Sequence, residues 1–316
     1  MINKKSKILV LGGSGQVGSS LTNLLSENNY DFSLVRKGKW GNDSLIKKAK
    51  LISTDLFDLN EKGIKKLIHK YDVIFHLAAN TQVQNNLKIE NKNFIDQVGL
   101  LNKLLLSMIG TKKVLVFSSS CSVYAGSNDK VIDQYSSAMP LTSYDLVKST
   151  SDKIIEYYKN THNVKCSSVR FSNIYGPDQN LEKKKNRRIL NTLLSQMHSN
   201  GAVEIVGNGK FYRNYIHVND ACRMLVKIAK NINTKQAIFL GCSKENIFFI
   251  DAIKILSKIY NKTFDANVKI KTGRKVKYRS DTRSYKIMPS EIFLSNFRYE
   301  FNIEKGFNNL LENTEF

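Results

Sequence analysis

The chain has 316 residues, 41% of them hydrophobic, and a formal net charge of +22 from 49 Lys and Arg against 27 Asp and Glu. This length and hydrophobic content can support a sizeable core, and doubly wound α/β enzymes reach this size with one main core and a smaller annex. The charge suggests an anionic partner, either nucleic acid or a phosphorylated small molecule. Because the basic residues are spread along the chain, we expect most of them to be solvated surface.

Cysteine usage and the lengths of the apolar runs indicate a cytoplasmic protein. Cys121, Cys166, Cys222 and Cys242 are far apart and form no C-x-x-C pair, so the sequence indicates neither a metal site nor a disulfide framework. The apolar run ILVLGG near the N-terminus is too short for the core of a signal peptide. No segment approaches the ~20 apolar residues of a membrane span, so we expect no membrane partner.

Short apolar runs alternate with longer helical patterns in the first half of the chain. The runs typical of buried strands are KILVL, DFSLV, KLIST, DVIFHLA, KVLVF and KCSSVRF. Helical patterns follow the first run, as VGSSLTNLLSEN, and occupy residues 89–108 and 144–159. Such alternation predicts βαβ units, and therefore a doubly wound parallel sheet of the Rossmann type with helices on both faces.

The pattern changes beyond Pro177. Helices are predicted at 189–198, from about residue 219 and at 250–260, with strands at VEIVG and AIFLG, whereas 262–316 has only weak periodicity. Because no repeat or low-complexity linker separates the two regions, we expect them to pack together. We assign 1–173 and 214–243 to one domain, built on the Rossmann-type sheet, and 174–213 and 244–316 to a smaller C-terminal α/β domain that would bind the substrate of an enzyme with this fold.

A glycine-rich turn follows the first predicted strand. VLGGSGQVG has Gly12, Gly15 and Gly18 at intervals of three, where glycine lets the backbone turn tightly and approach a pyrophosphate closely. The N-terminus of the following helix offers free N–H groups and a favourable dipole. The turn therefore predicts dinucleotide binding, with Gln16 and Val17 among the cofactor-binding residues.

The end of the second predicted strand is where such a site contacts the adenosine ribose. An acidic residue there would accept a hydrogen bond from a free 2′-hydroxyl, but SLVRKGK supplies Arg36, Lys37 and Lys39. This favours a 2′-phosphate and hence NADP, with NAD and a plain basic surface turn as alternatives. Asp55, followed by Leu56 at the end of the third strand, could bond the adenine amino group or cap a helix.

A cluster of hydroxyl groups follows the strand KVLVF, and a tyrosine–lysine pair lies downstream of it. SSSCSVYAG contains Ser120, and SYDLVKS puts Tyr144 and Lys148 at i and i+4 on one helix face. An unperturbed tyrosine, with a pKa of about 10, is a poor base at neutral pH, and a neighbouring ammonium favours its phenolate. Lys148 could do this while donating to a nicotinamide ribose, and a serine could hold the substrate oxygen during hydride transfer.

Five ordered motifs together resemble the extended short-chain dehydrogenase/reductase family, in its nucleotide-sugar epimerase, dehydratase and reductase branch. They are the glycine turn, HLAA at 76–79, SSSCSVY with the Tyr144 and Lys148 pair, RFSNIYGP at 170–177 and RNYIHVNDA at 213–221. The resemblance covers about residues 7–256. It implies a homodimer formed by the helices at 89–108 and 144–159, although their patterns also permit a monomer.

The resemblance implies roles for individual residues. Ser120 matches the catalytic Ser/Thr, Tyr144 the general acid/base and Lys148 its partner. Asn173 would contact the pyrophosphate region of a nucleotide sugar and Arg213 a substrate phosphate, a loop cap and a surface cation being the alternatives. Further expected cofactor contacts are Leu77, Ala78 and Ala79; Ser122 is an expected substrate contact, whereas Tyr124 and His217 are expected to be structural.

Departures from the family pattern narrow the reaction. The 4,6-dehydratases carry Asp and Glu after the catalytic Thr, but Cys121 and Ser122 stand here, and neither replaces a carboxyl group at neutral pH. We therefore predict no dehydration. Cysteine-dependent 3,5-epimerisation is disfavoured because Ser122 occupies the cysteine position, and Cys121 is expected to pack against the sheet. In the resembled family a segment late in the chain helps to hold the nucleotide. The best candidate for it here is KTGRKVKYRSDTR, in which Arg274, Lys275 and Arg279 could hold a diphosphate.

The leading hypothesis is a nucleotide-sugar oxidoreductase acting at sugar C4, as a 4-epimerase that recycles its NAD(P) or a 4-ketoreductase that consumes NADPH. One alternative is an NADPH-dependent alcohol or ketone reductase with a non-nucleotide substrate. Another is a non-catalytic dinucleotide-sensing or RNA-associated protein, for which the net charge is the only support. Because the Ser, Tyr and Lys set is retained, we expect an enzyme and no nucleic-acid partner.

Overall fold

The computed structural model describes residues 3–36, 49–80, 87–177, 189–274 and 283–314. The first half of the chain folds into alternating strands and helices, as the sequence predicts. In chain order these elements are β1 (Lys7–Leu11), α1 (Gln16–Glu27), β2 (Asp31–Arg36), β3 (Lys50–Ser53), α2 (Glu61–Ile68), β4 (Val73–His76), α3 (Leu87–Leu106), β5 (Val114–Ser120), β6 (Val131–Ile132), α4 (Ser143–His162), β7 (Lys165–Phe171) and β8 (Asn173–Tyr175).

The second half contains shorter strands and five further helices within the described residues. They are α5 (Ile189–Asn200), β9 (Ala202–Val206), β10 (Tyr212–His217), α6 (Val218–Lys230), β11 (Ile238–Gly241), β12 (Asn246–Phe248), α7 (Phe249–Phe264), β13 (Lys269–Arg274), β14 (Lys286–Ile287), α8 (Glu291–Asn296) and α9 (Ile303–Glu312). None of the helices in the described ranges is both long enough and apolar enough to cross a membrane.

Seven strands form one parallel sheet in the order β11-β7-β5-β4-β1-β2-β3. The strand order reverses between β1 and β4, so the carboxyl ends of these two strands border the crevice where open α/β sheets bind ligands. The predicted doubly wound Rossmann sheet is confirmed.

Helices cover both faces of this sheet, which explains why its strands are apolar throughout. Along β1, Ile8 and Val10 join the core under α1 and α6, whereas Leu9 and Leu11 join the core under α2, α3 and α4. Successive residues of a strand point to opposite faces, so each face receives alternate side chains.

The smaller C-terminal region is built on a three-stranded sheet, β12-β10-β8, and a two-stranded sheet, β13-β9. Its core lies among α5, α7 and α9. A second two-stranded sheet pairs β14 with β6, which lies between β5 and α4 in the chain. The division into two domains at the predicted boundaries stays a prediction, while the smaller α/β region itself is confirmed.

Residues 262–316, for which the sequence predicts no element, contain β13, β14, α8 and α9. Most of these elements are short, but α9 carries apolar residues at 303, 307, 310 and 311, the spacing of one helix face, so it had a local signal that sequence reasoning missed. In α9 the buried face includes Phe307, Leu310 and Gly306. A Cβ at Gly306 would lie 1.8 Å from the hydroxyl oxygen of Tyr175, so this helix is held by a close approach to β8 that no local pattern reveals.

Candidate active site

The candidate site lies at the carboxyl ends of β1, β4 and β5. Gly12 follows β1 with φ +85°, a conformation that favours glycine, and its Cβ would lie 2.5 Å from the backbone nitrogen of Ala78. Leu77 donates its N–H to the carbonyl of Leu11 at 2.9 Å. The glycine turn and the segment from Leu77 to Ala79 therefore pack directly on each other.

The N-terminus of α1 is suited to an anion. Its cap residue is Gly15, which provides no side-chain hydrogen bond, and the first turn contains no acidic residue. The helix N–H groups can therefore bind a pyrophosphate with help from the helix dipole. Val17 packs against the α1 core, and the buried Gln16 side chain donates to the carbonyl of Gly176 at 2.7 Å, so Gln16 joins the turn to the end of β8.

The predicted ribose contacts lie at the neighbouring strand ends. Arg36 is the last residue of β2 and is in register with Ser53 of β3, whereas Lys37 and Lys39 lie outside the described residues. Asp55 accepts a hydrogen bond from the N–H of Phe57 at 3.1 Å and so caps a short 3-10 turn, the alternative role that the sequence allowed. Leu56 is buried in the core.

A capping box begins α4 and orients its first turn, which contains Tyr144. The Thr142 hydroxyl accepts the N–H of Asp145, and the Asp145 carboxylate accepts the N–H of Thr142, each at 3.1 Å. Lys148 lies one turn further and is only 4% exposed. Its ammonium donates to the carbonyl of Ser118 at 2.7 Å and lies 5.7 Å from the centre of the Tyr144 ring.

The charge of Lys148 is held in an apolar setting. Burial lowers the pKa of Lys148 to about 8, while the Asp152 carboxylate acts in the opposite direction. Its ammonium also lies 4.5 Å from the centre of the Phe117 ring, an attractive cation–π arrangement. At neutral pH Lys148 is therefore mainly protonated, and its charge is available to stabilise a phenolate at Tyr144.

His76, at the end of β4, is a buried neighbour of this lysine. Burial and the charge of Lys148 lower the pKa of His76 to about 3, so the ring is neutral. Its edge meets the Phe117 ring at a centroid distance of 5.2 Å, and neither ring nitrogen has a hydrogen-bond partner in the part of the chain that the structure describes. The imidazole adds no charge to the site at neutral pH.

A cavity of about 150 Å³ adjoins Ser120, the last residue of β5. The Ser120 hydroxyl accepts the N–H of Ser122 at 3.1 Å, which caps a 3-10 turn over Cys121–Tyr124. The Ser122 hydroxyl is buried and has no partner among the described residues. Four predicted residues meet at this cavity, whose lining includes Ser120, Ser122, Asn173, Arg213, Arg283 and Tyr285.

The two predicted phosphate-region residues are held by backbone groups. The Asn173 amide donates to the carbonyl of Asn214 at 2.9 Å and so joins β8 to β10. Arg213 donates to the carbonyls of Tyr212 and Arg283, at 2.9 and 2.6 Å, and its guanidinium lies 4.3 Å from the centre of the Phe211 ring. Arg213 is thus a fixed cation at the cavity.

Sequence reasoning missed Arg283 as a cavity residue. It had favoured Arg274, Lys275 and Arg279, but Arg274 ends β13, and Lys275 and Arg279 lie outside the described residues. The sequence did contain a signal for it, because Arg283 is the last basic residue of KTGRKVKYRSDTR, the segment proposed to hold a diphosphate.

Three residues expected to be structural are so placed. Cys121 is buried and its Sγ donates to the carbonyl of Arg170 at 3.2 Å, and burial raises the pKa of the thiol to about 12. Tyr124 is fully buried. His217 accepts the N–H of Asn219, and its ring stacks on Phe301 at 3.7 Å.

Other features of the described residues do not compete with this site. A larger groove of about 890 Å³ lies between α1, α6 and the segment 296–313, but none of the predicted site residues lines it. The hydroxyl, amide and guanidinium groups meet instead at the smaller cavity, whose lining among the described residues does not include Tyr144 or Lys148. Within the described ranges, no three His, Cys, Asp or Glu side chains come together to hold a metal ion.

Comparison with protein families identifies the family to which this chain belongs. The model of the NAD dependent epimerase/dehydratase family matches residues 8–241, which include the glycine turn, the Tyr144 and Lys148 pair and Arg213. The chain belongs to this family. As an epimerase/dehydratase family member it is an enzyme of the extended short-chain dehydrogenase/reductase type, which confirms the resemblance seen in its motifs.

Relatives of this epimerase/dehydratase family member carry out more than one reaction. It is 30% identical to a "Putative UDP-glucose 4-epimerase" of Methanocaldococcus jannaschii over 68% of this chain and 71% of the relative. It is 24% identical to a dTDP-D-glucose 4,6-dehydratase of Homo sapiens over 76% and 70%. A UDP-N-acetylglucosamine 4-epimerase from Methanobrevibacter ruminantium, solved with UDP-N-acetylmuramic acid, superposes with a TM-score of 0.85 at 17% identity, covering 98% of both chains, and supports the fold alone.

Proposed function

We propose that this protein is a nucleotide-sugar oxidoreductase acting at sugar C4, as a 4-epimerase or a 4-ketoreductase and not as a 4,6-dehydratase. The observation that carries the proposal is the position of Lys148. Its ammonium is buried beside Tyr144 and bonded to the carbonyl of Ser118, two residues before Ser120. The base, its cationic partner and the serine thus lie on two elements, α4 and β5, that this hydrogen bond joins directly.

The described residues fit a bound dinucleotide. Gly12, Gly15 and Gly18 would hold the pyrophosphate at the N-terminus of α1, with 77–79 beside it, because side chains there would fill the space or meet backbone. Tyr144 and Lys148 would hold the nicotinamide ribose. When bound, the nicotinamide supplies hydride acceptance and, in reduced form, hydride donation.

Each catalytic side chain then has a separate task. Tyr144 takes or returns the proton at the C4 oxygen of the sugar, acting as general base or acid. Lys148 keeps positive charge beside the phenolate so that this proton transfer is possible near neutral pH. The Ser120 hydroxyl donates to the same substrate oxygen, and the Ser122 hydroxyl, which has no partner among the described side chains and backbone groups, is a further donor to the sugar.

The residues after Ser120 argue against dehydration. Water elimination needs an acid and a base besides the tyrosine, and Cys121 and Ser122 occupy the positions of the carboxylates in the dehydratase pattern. The Cys121 thiol is turned to the carbonyl of Arg170, and its pKa of about 12 keeps it protonated. A thiol so placed cannot serve as the missing base.

The cations at the cavity favour a nucleotide sugar over an uncharged ketone. Arg213 and Arg283 both line it, close to Asn173 on β8. Guanidinium groups bind phosphate oxygens strongly, and a diphosphate bridging to the sugar supplies those oxygens. A reductase for a non-nucleotide alcohol or ketone remains the second candidate, and its substrate would offer these guanidinium groups no phosphate oxygens.

We propose NADP as the cofactor, although the family is described as NAD dependent. The proposal is supported by Arg36 at the end of β2, where an acidic residue would select a free ribose hydroxyl. We also propose a cytoplasmic location, since all four cysteines are free thiols.

We further propose a homodimer formed through α3 and α4. These neighbouring helices cover one face of the sheet and expose apolar side chains, such as Ile89, Ile95 and Leu106 on α3 and Leu146 and Tyr157 on α4. Burying such residues between two copies would stabilise the dimer.

The deciding experiment screens nucleotide sugars, including 4-keto forms, while NADPH oxidation and sugar product are followed together. Product without net oxidation means an epimerase, and stoichiometric oxidation means a reductase. Tyr144→Phe should lower turnover at least about 100-fold, as expected for the loss of a general acid/base. Tyr135→Phe, at a tyrosine that is 82% exposed and lies outside the proposed interface, is the matched control. Unchanged turnover in Tyr144→Phe, or RNA binding without nucleotide-sugar affinity, would contradict the proposal.

A further inference from the structure

A buried carboxylate lies one helical turn beyond Lys148. Asp152 of α4 has no solvent exposure. It accepts hydrogen bonds from the hydroxyl of Ser119 on β5 at 3.1 Å, from the hydroxyl of Ser168 on β7, and from the guanidinium of Arg170 on β7 at 2.6 Å. One side chain therefore joins the helix that carries Tyr144 and Lys148 to two central strands.

Arg170 extends this connection to the turn that follows Ser120. The guanidinium is 5% exposed and donates to the hydroxyl of the fully buried Tyr124 at 2.5 Å. It also lies 5.0 Å from the centre of that ring. We call Asp152, Arg170, Tyr124, Ser119 and Ser168 the Asp152 cluster. Its members come from α4, β5, β7 and the turn at Cys121–Tyr124, the same elements that hold the proposed catalytic groups.

The cluster also decides the charge balance around Lys148. From its own helix, Lys148 faces Tyr144 and Asp152; from β4 it faces neutral His76, and from β5 the carbonyl of Ser118 and the ring of Phe117. β7 contributes the second buried cation, Arg170, which is paired with Asp152. Among these described neighbours, Asp152 is the anion that offsets the cost of burying the lysine charge.

We propose that Asp152 is a positioning residue of the C4 chemistry: its carboxylate fastens α4 to β5 and β7, and its negative charge keeps Lys148 protonated beside Tyr144. This inference rests on the proposed roles of Tyr144 and Lys148. A purely structural ion pair would affect stability alone, whereas a positioning residue also sets the ionisation of the lysine that it faces.

The test is a pH titration of Lys148 in the apoprotein. It is monitored by NMR of protein labelled with ¹³C at the lysine Cε, and the Lys148 signal is assigned as the one that is missing from the spectrum of Lys148→Arg. Asp152→Asn keeps the shape and removes the charge, so the Lys148 midpoint should fall by about one pH unit or more. A second variant, Asp152→Asn combined with Arg170→Gln, removes both charges of the pair and so leaves neither one buried without a partner. Because Asp152 is the charge that raises the pKa of Lys148, the midpoint should fall in this variant too, and it tests the proposal if Asp152→Asn alone does not fold.

Two controls separate charge from structure. Asp152→Glu keeps the carboxylate, so its Lys148 midpoint should lie closer to that of the wild type than to that of Asp152→Asn. Ser168→Ala removes one hydrogen bond to Asp152 and keeps its charge, so it should lower the melting temperature while the midpoint stays near the wild-type value. A midpoint that stays unchanged in Asp152→Asn, or in the double variant with Arg170→Gln, overturns the proposal, whatever happens to stability.

The kinetic counterpart is the pH profile of kcat/KM with the substrate found in the nucleotide-sugar screen. Asp152→Asn should move the alkaline limb to lower pH by the same amount as the Lys148 midpoint. Because the NMR titration needs neither substrate nor turnover, its result is independent of Tyr144→Phe. Unchanged turnover in Tyr144→Phe would contradict the proposed C4 chemistry. An unchanged Lys148 midpoint in the titration would contradict the proposed role of Asp152.

Discussion

A Cβ atom at Gly18 would lie 2.3 Å from the carbonyl oxygen of Gly12, so α1 can pack against the preceding turn only when residue 18 has no side chain. Gly15 is different, because its Cβ would meet that same oxygen at an ordinary 3.7 Å and its φ of −81° suits any residue. Gly12 and Gly18 are therefore required by close contacts within the protein, whereas Gly15 leaves space for a ligand.

This difference can be tested with two alanine substitutions. Gly18→Ala should lower the free energy of unfolding by about 1–3 kcal/mol, as overpacking does. Gly15→Ala should stay within about 0.5 kcal/mol of the wild type yet bind a dinucleotide at least about 10-fold more weakly, because its methyl group would occupy the pyrophosphate space. Urea unfolding and cofactor titration measure the two effects. Wild-type affinity in Gly15→Ala would argue against a pyrophosphate at this turn.

The buried Lys148 predicts a characteristic dependence of stability on pH. Below pH 8 both folded and unfolded chains carry the lysine proton, and between the folded pKa of about 8 and the ordinary value of 10.5 only the unfolded chain does. The contribution of Lys148 to the free energy of unfolding therefore rises with pH in this window, by on the order of 3 kcal/mol. Below the window the buried charge is a constant cost.

Lys148→Met should accordingly be inactive but more stable than the wild type at pH 7. The difference in free energy of unfolding between the two proteins should shrink between pH 8 and 10.5. Urea unfolding of both proteins across this range gives the difference curve. Lys153→Met, at an exposed lysine of the same helix, should give a flat one. A Lys148→Met curve without slope in this window would mean that the lysine titrates normally in the folded chain.

Arg36 should decide cofactor preference if NADP is the cofactor. Arg36→Ser removes the cation proposed to bind the 2′-phosphate, so the Kd for NADPH should rise about 10-fold or more while that for NADH changes little. Lys50→Ser, at an exposed cation that begins β3, controls for the general loss of positive charge. Fluorescence titration measures both constants. A wild-type protein that prefers NADH would contradict the proposal.

The proposed α3 and α4 interface predicts that one substitution can separate the subunits. Ile95 is 59% exposed on α3, and Ile95→Asp would bury a carboxylate in the interface, so the protein should sediment as a monomer. Leu294→Asp, at an exposed apolar residue of α8, should leave the association state unchanged. Sedimentation velocity distinguishes the outcomes, and dimers of Ile95→Asp would exclude this face.

The large sheet and the main motifs could be predicted because their signals are local. A strand buried on both faces is apolar along its length, as at 8–11, and a helix that covers it repeats its apolar side chains every three or four residues. The glycine turn and the pairing of Tyr144 with Lys148 are likewise contained within a few residues. Asp55 shows the limit, since the same local signal fits a helix cap and an adenine contact, and the structure has the cap.

What the sequence alone determined is thus the α/β class, the order of its strands along the chain and the motifs at their ends. Only the tertiary structure brought Arg283 beside Arg213, Gln16 to Gly176 and Asp152 to Arg170. Partners separated by 18 to 160 residues meet because of strand order and helix packing, and no local period records which distant side chains will face each other. The helix α9 was missed although its apolar residues have helical spacing, whereas the shorter α8 and β14 escaped prediction because their buried faces are defined by the surfaces that they cover.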